Sequence, residues 1–122
     1  MTEALIIDDN RSTADALRQI LTVLGFKSRM AYGSSAAMSI LGSGFTPKFV
    51  FLDLNMPGVA GTEILTFLRR EPRLIRVPVV VVTSDDQPET RTKVLKLGAT
   101  AIVIKPATIE SLETVLKKSK IL

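Results

Sequence analysis

The sequence predicts a doubly wound α/β domain: a five-stranded parallel sheet with helices on both faces. Three observations carry this reading. Short β-rich runs alternate with helical patterns five times within 122 residues. The connections between successive runs are long enough for crossover helices, as parallel pairing requires. Two of the runs, Val79–Val82 and Ala101–Ile104, are apolar throughout and do not alternate. That is the pattern of strands buried on both faces between helix layers.

Each element has its own local reason. Ala4–Ile7 is a short aliphatic run that ends in two carboxylates. Arg11–Leu24 places Ala14, Leu17, Leu21 and Leu24 on one helical face, with Asn10 as its cap and Gly25 where a helix stops. Phe26–Ala31 reads as a weaker strand. Ser34–Leu41 reads as a short helix capped by Ser34 and closed by Gly42. Lys48–Leu52 is a strand that ends at Asp53, and Gly61–Arg70 is a helix with Ile64, Leu65 and Leu68 inward. Val77–Val82 is an aliphatic strand ending at Thr83. Pro88–Leu97 is a helix stopped by Gly98. Ala101–Ile104 is a strand ending at Lys105-Pro106, and Thr108 caps a last helix through about Lys118.

Composition bounds the function. Hydrophobic residues make up 46% and charged residues 23%, enough apolar surface for a core. There is no Cys and no His, which removes disulfides, thiolate nucleophiles, zinc sites of the usual kind and His-based acid–base chemistry. No apolar run approaches the roughly 20 residues of a spanning helix, so the cytoplasm is the expected location. The net charge is +4. Residues 1–87 hold nine Lys/Arg and nine Asp/Glu, so the excess resides in residues 88–122, with seven against three. A basic last third could steer an acidic partner; as a solvated helix surface it would do nothing.

In open α/β sheets ligands bind beyond the carboxyl ends of the strands. Here the first strand delivers Asp8 and Asp9, the third Asp53, the fourth Thr83 and the fifth Lys105. Three carboxylates on one rim repel one another and call for a cation. Lys105 supplies one charge. An all-oxygen donor set without Cys or His suits Mg²⁺ or Mn²⁺ rather than zinc. Such an ion shares its shell with a phosphate, for which Thr83 and Lys105 are natural partners.

These residues form a recognisable set. Asp8-Asp9, the segment Asp53-Leu54-Asn55-Met56-Pro57-Gly58-Val59-Ala60-Gly61, Thr83 and Lys105-Pro106, each in order at its own strand end, resemble a response-regulator receiver domain. The resemblance covers the whole chain, residues 1–122, as a single domain. It implies the flavodoxin-like strand order 2-1-3-4-5. It also implies phosphoryl transfer onto Asp53 from a histidine kinase or phosphotransfer protein, with no other enzymatic activity. Asp9 and Asp53, with the backbone carbonyl of Asn55, would hold Mg²⁺, Asp8 acting through water. Thr83 would hydrogen-bond the phosphoryl group and move with it, and Lys105 would pair with a phosphoryl oxygen. Pro57 and Gly58 would shape the loop after the acceptor, and the Lys105–Pro106 bond would be cis.

Ile102 stands where the family carries Tyr or Phe, and Ala107 where Phe is common, which alters the route by which activation reaches the surface. Asn55 and Asp85, two residues beyond Asp53 and Thr83, occupy positions that tune the phosphoryl lifetime. The family's output face would carry Arg91, Lys93, Lys96, Lys117, Lys118 and Lys120 here, for a downstream protein target or a second copy of the domain.

Three other readings meet the same residues. An aspartate-nucleophile phosphatase of the haloacid-dehalogenase type needs a second Asp two residues after the first, and Asn55 cannot transfer a proton. A nucleic-acid module pairs basic residues with aromatics, whereas Phe49 and Phe51 fall in an expected buried strand, which argues against direct nucleic-acid binding. A docking-only receiver would not need all five site residues.

Overall fold

A continuous ladder of parallel pairs begins at β1 (Glu3–Ile7), which lies between β2 (Lys27–Ala31) and β3 (Phe49–Leu52). Beyond β3 come β4 (Val79–Thr83) and β5 (Ala101–Ile104), and the sheet order is β2-β1-β3-β4-β5 with every pairing parallel. The crossovers are α1 (Arg11–Val23), α2 (Ser34–Gly42), α3 (Gly61–Arg70) and α4 (Pro88–Lys96), and α5 (Ile109–Lys118) follows the last strand. This computed structural model describes residues 3–56, 58 and 60–122. Pro57, expected to shape the loop after Asp53, lies outside the described residues.

Strand pleating sorts the core into two halves. Leu5, Ile7, Val50, Leu52, Val79 and Val81 face α2, α3 and α4. Ala4, Ile6, Phe49, Phe51, Val80 and Val82 face α1 and α5. The helices answer with the spacing of their apolar residues. Ala14, Leu17 and Leu21 bury one stripe of α1, Ile64, Leu65 and Leu68 one stripe of α3, and Leu112 and Leu116 one stripe of α5. Each fully buried aliphatic side chain contributes about 1.5–3 kcal/mol, so these stripes outweigh the modest intrinsic propensities of their helices.

Two helix starts are built as expected. The Asn10 side chain accepts the Thr13 N–H, and Thr108 and Ser111 form a reciprocal capping box on α5. The helices at Gly61 and Pro88 also begin where expected, and α2 differs in detail. The cap of α2 is Gly33, at φ 123, rather than Ser34, which is instead the buried first residue of the helix. Gly42 belongs to α2 rather than ending it, because Ser43 closes the helix through its N–H to Ser39 and Ile40. Phe26, Lys48, Val77 and Pro78 fall outside their expected strands; Phe26 is buried by stacking edge-on against Phe49, not by pairing.

The largest correction concerns β5. Its four apolar residues suggested burial on both faces, but only Val103 is buried, and Ile104 is 42% exposed. β5 is an edge strand. α5 covers one of its faces, while α4 contributes a single buried residue, Val94, to the other. Strand composition does not distinguish a central strand from an edge; neighbours do.

Candidate functional site

The register brings the strand ends level. Ile7 pairs with Leu52 and Thr83 with Ile104, so Asp8, Asp53 and Lys105 all leave the sheet one residue later. Backbone bonds extend the ladder past the strands and fix these residues. The Asp8 N–H donates to the Ala31 carbonyl at 3.1 Å, the Asp53 N–H to Ile7 at 2.9 Å, and the Lys105 N–H to Thr83 at 2.8 Å. The Lys105–Pro106 peptide is cis.

Asp8 and Asp53 are buried and Asp9 is exposed, yet each offers a carboxylate oxygen within 4.8 Å of the other two. The Lys105 ammonium stands 3.2 Å from Asp8 Oδ2 and 3.7 Å from Asp53 Oδ1. The Asn10 N–H donates to Asp8 Oδ1 at 2.9 Å, and the Asn55 N–H to Asp53 Oδ1 at 3.3 Å. Burial pushes the Asp53 carboxyl above its ordinary value, and Asp8 and Asp9 push it further. Lys105 and the Asn55 N–H oppose them without winning. The site thus carries more negative charge than its own residues neutralise.

That deficit fits a hard divalent cation. Oxygens sharing an octahedral Mg²⁺ at about 2.1 Å lie roughly 3–4 Å apart, which is compatible with three carboxylate oxygens within 4.8 Å of one another. The donor set is oxygen throughout, as Mg²⁺ and Mn²⁺ prefer. Asp8, Asp9 and Asp53 are the residues that could hold such an ion.

Thr83 is 1% exposed at the end of β4. Its hydroxyl accepts the Asp85 N–H at 3.1 Å. The Asp85 side chain turns towards α4, where Oδ1 accepts the Gln87 N–H at 3.0 Å and Oδ2 the Thr90 hydroxyl at 2.7 Å. Those two bonds hold its carboxyl below the ordinary carboxylate value. Thr90 escaped the sequence reading, although an acidic pair just ahead of Gln87-Pro88 is a helix-start signal.

Gly61, read from the sequence as a helix start and as the end of the Asp53–Gly61 segment, has a steric role that only the structure reveals. A Cβ there would lie 2.5 Å from the Asp53 carbonyl oxygen and 2.7 Å from Leu54 Cα. The start of α3 presses directly on the backbone of the candidate acceptor, and only glycine permits it.

Comparison with known proteins points to one family and one fold. The family described as response regulator receiver domain matches residues 4–117. The chemotaxis protein CheY of Pseudomonas aeruginosa is 30% identical over 115 residues, covering 93% of this chain and 92% of that one. The chemotaxis protein CheY4 of Vibrio cholerae superposes with a TM-score of 0.89 at 24% identity, over 98% of both chains. A response regulator from Burkholderia pseudomallei, solved with a phosphorylated aspartic acid, calcium ion and citrate, superposes with a TM-score of 0.84. It is 25% identical, over 98% of this chain and 69% of that one.

Proposed function

The chain belongs to the response regulator receiver domain family, the signalling phosphoacceptors of two-component systems, and on that premise we propose that Asp53 takes a phosphoryl group from a histidine kinase or phosphotransfer protein. The observation that carries this reading is the convergence of three carboxylates, with oxygens within 4.8 Å, beneath a single ammonium. In this reading residues 1–122 act as one receiver domain, working in the cytoplasm.

Asp53 is the nucleophile. One carboxylate oxygen forms the bond to phosphorus while the bond from phosphorus to the donor's nitrogen or oxygen breaks. Asp9, Asp53 and the Asn55 carbonyl would hold Mg²⁺, with Asp8 contributing through water, and the ion would supply charge neutralisation for the transferring group. Lys105 draws a phosphoryl oxygen to its ammonium. Thr83 donates its hydroxyl to another and moves to do so. Positioning and charge stabilisation of this kind account for most of the catalysis in phosphoryl transfer. The chain's chemistry is confined to gaining and losing its own phosphoryl group.

The readout is a protein-binding surface. A groove between α4, β5 and α5 exposes Ile102, Ile104 and Val115, with Arg91 and Lys118 at its edges. An apolar strip with basic margins suits an acidic amphipathic partner or a second copy of the domain. Residue 102 forms part of both this groove and the packing beneath α4, so an aliphatic side chain carries the signal where the family uses an aromatic ring.

The test is intact-mass measurement after incubation with acetyl phosphate and Mg²⁺. The expected result is one added phosphoryl group, absent without a divalent metal and absent in Asp53→Ala. No gain under Mg²⁺ or Mn²⁺ would leave the fold as a docking module.

A further inference from the structure

We propose that Asp85 and Thr90 form a latch that holds the Thr83 hydroxyl in its resting position and so sets how readily Asp53 is phosphorylated. The inference rests on the phosphoacceptor reading above and concerns the regulation of that same site.

The argument begins with where the bonds go. Thr83 has its hydroxyl on the Asp85 N–H, and no hydrogen bond joins it to Asp53 among the described residues. The Asp85 N–H is kept there because its own side chain is anchored twice to the first turn of α4. One anchor is the backbone N–H of the cap residue Gln87, and the other is the hydroxyl of Thr90, the third residue of the helix. Gln87 occupies the cap position but makes no side-chain cap bond, so Asp85 does that work from two residues upstream. Pro88 at the first helical position stiffens the same turn. Thr83, Asp85 and the start of α4 are therefore one hydrogen-bonded unit.

Beside this unit lies a cavity of ≈ 80 Å³, lined by Thr83, Asp85, Thr90, Val94, Ile102 and Ile104. A gap of that size forfeits packing contacts on every wall. It leaves room for the loop between β4 and α4 to rearrange without unpacking the helix, whose only buried residue is Val94. The bond from Thr90 is to an ionised carboxylate, the stronger class of hydrogen bond, and it is the member of the unit that a single isosteric substitution removes.

The experiment compares Thr90→Val, which keeps shape and loses the hydroxyl, with Thr90→Ser, which keeps the hydroxyl. Each is made alone and with Thr83→Ala. Phosphoryl gain from acetyl phosphate and subsequent loss are followed by intact mass. Thr90→Val is expected to speed phosphoryl gain about three- to tenfold, the range one such hydrogen bond supports, and to slow loss. Thr90→Ser should stay within about twofold of the parent. With Thr83→Ala present, Thr90→Val should change nothing, because the latch has nothing left to hold. An equal effect of Thr90→Val in both backgrounds, or none in the parent, overturns the latch while leaving Asp53 as acceptor. A parent protein that gains no phosphoryl group overturns the phosphoacceptor reading, and the latch's control with it.

Discussion

Lys105 and Asp8 meet at 3.2 Å across 97 residues of chain, closer than Lys105 comes to Asp53. The ammonium is thus committed first to the carboxylate that is almost wholly buried, 2% exposed at its side chain. Without phosphate or metal, this pair is what makes the acidic rim tolerable.

Removing that cation should be costly in metal-free buffer. Lys105→Met leaves Asp8 and Asp53 facing each other unscreened, and the expected loss is about 1–3 kcal/mol, less than for a fully buried pair because Lys105 is partly exposed. Thermal melts with EDTA and with Mg²⁺ check it: Mg²⁺ should recover most of the loss.

The raised carboxyl of Asp53 makes a statement about pH. Its folded pKa lies above its unfolded one, through burial first and the Asp8 charge second. Its contribution to stability is therefore full below the unfolded pKa and is lost as pH rises through the folded pKa. Asp53→Asn should melt higher than the parent at pH 7 in EDTA, and the gap should close near pH 3. Mg²⁺ should raise the melting temperature of the parent more than that of Asp53→Asn.

Two glycine substitutions should have opposite signs. Gly61→Ala drives a Cβ into the Asp53 carbonyl and should cost about 1–3 kcal/mol and slow phosphorylation, since the Asp53 backbone must shift. Gly42→Ala meets nothing within 4 Å inside α2 and should stabilise by about 0.5–1 kcal/mol. Urea titrations of the two variants give the comparison.

Arg69 ties the bottom of α3 to two other segments. Its guanidinium donates to the carbonyls of Gly98 at 2.9 Å, Val77 at 2.8 Å and Ile75 at 3.2 Å. Half-burial pulls its pKa below the ordinary value. Arg69→Ala should cost about 1–3 kcal/mol. Lysine should not rescue it, because one ammonium cannot span three carbonyls set in a fork. Hydrogen exchange should then quicken at residues 97–100.

The output surface is testable through its charges. Lys93→Glu with Lys96→Glu should weaken binding of an acidic partner or self-association after phosphorylation by about tenfold, with strong salt dependence. Sedimentation with and without acetyl phosphate reads the self-associating case.

Much of this protein was legible because its signals are local. An apolar run followed at once by Asp8, Asp53, Thr83 or Lys105 identifies a strand and the group at its end, whatever surrounds it. Helix stripes such as Ile64, Leu65 and Leu68 are equally local, being set by a 3.6-residue period. Parallel pairing followed from connection lengths. Sequence alone therefore determined which side chains stand on the rim.

Which of them touch was decided by tertiary structure, because register and strand order are relations between segments. Placing β1 between β2 and β3 brings Asp8 beside Asp53, and placing β5 at the edge leaves Ile104 in the open. The direction of the Asp85 side chain, away from the site and onto Thr90, depended on where α4 begins in space. Charge shows the difference most plainly. The first 87 residues balance nine against nine along the chain, yet the fold separates them. In a parallel sheet every strand starts at one end, where the preceding helix finishes. Lys27, Lys48, Arg70 and Arg76 fall at that end, alongside Glu3 and Glu71, and Asp8, Asp9, Asp53 and Asp86 at the other, alongside Arg11. Acidic first turns and basic last turns in α3, α4 and α5 follow the helix dipoles. Four crossovers that each return the chain to the same end of the sheet give the domain a carboxylate-rich rim and an opposite end rich in basic residues.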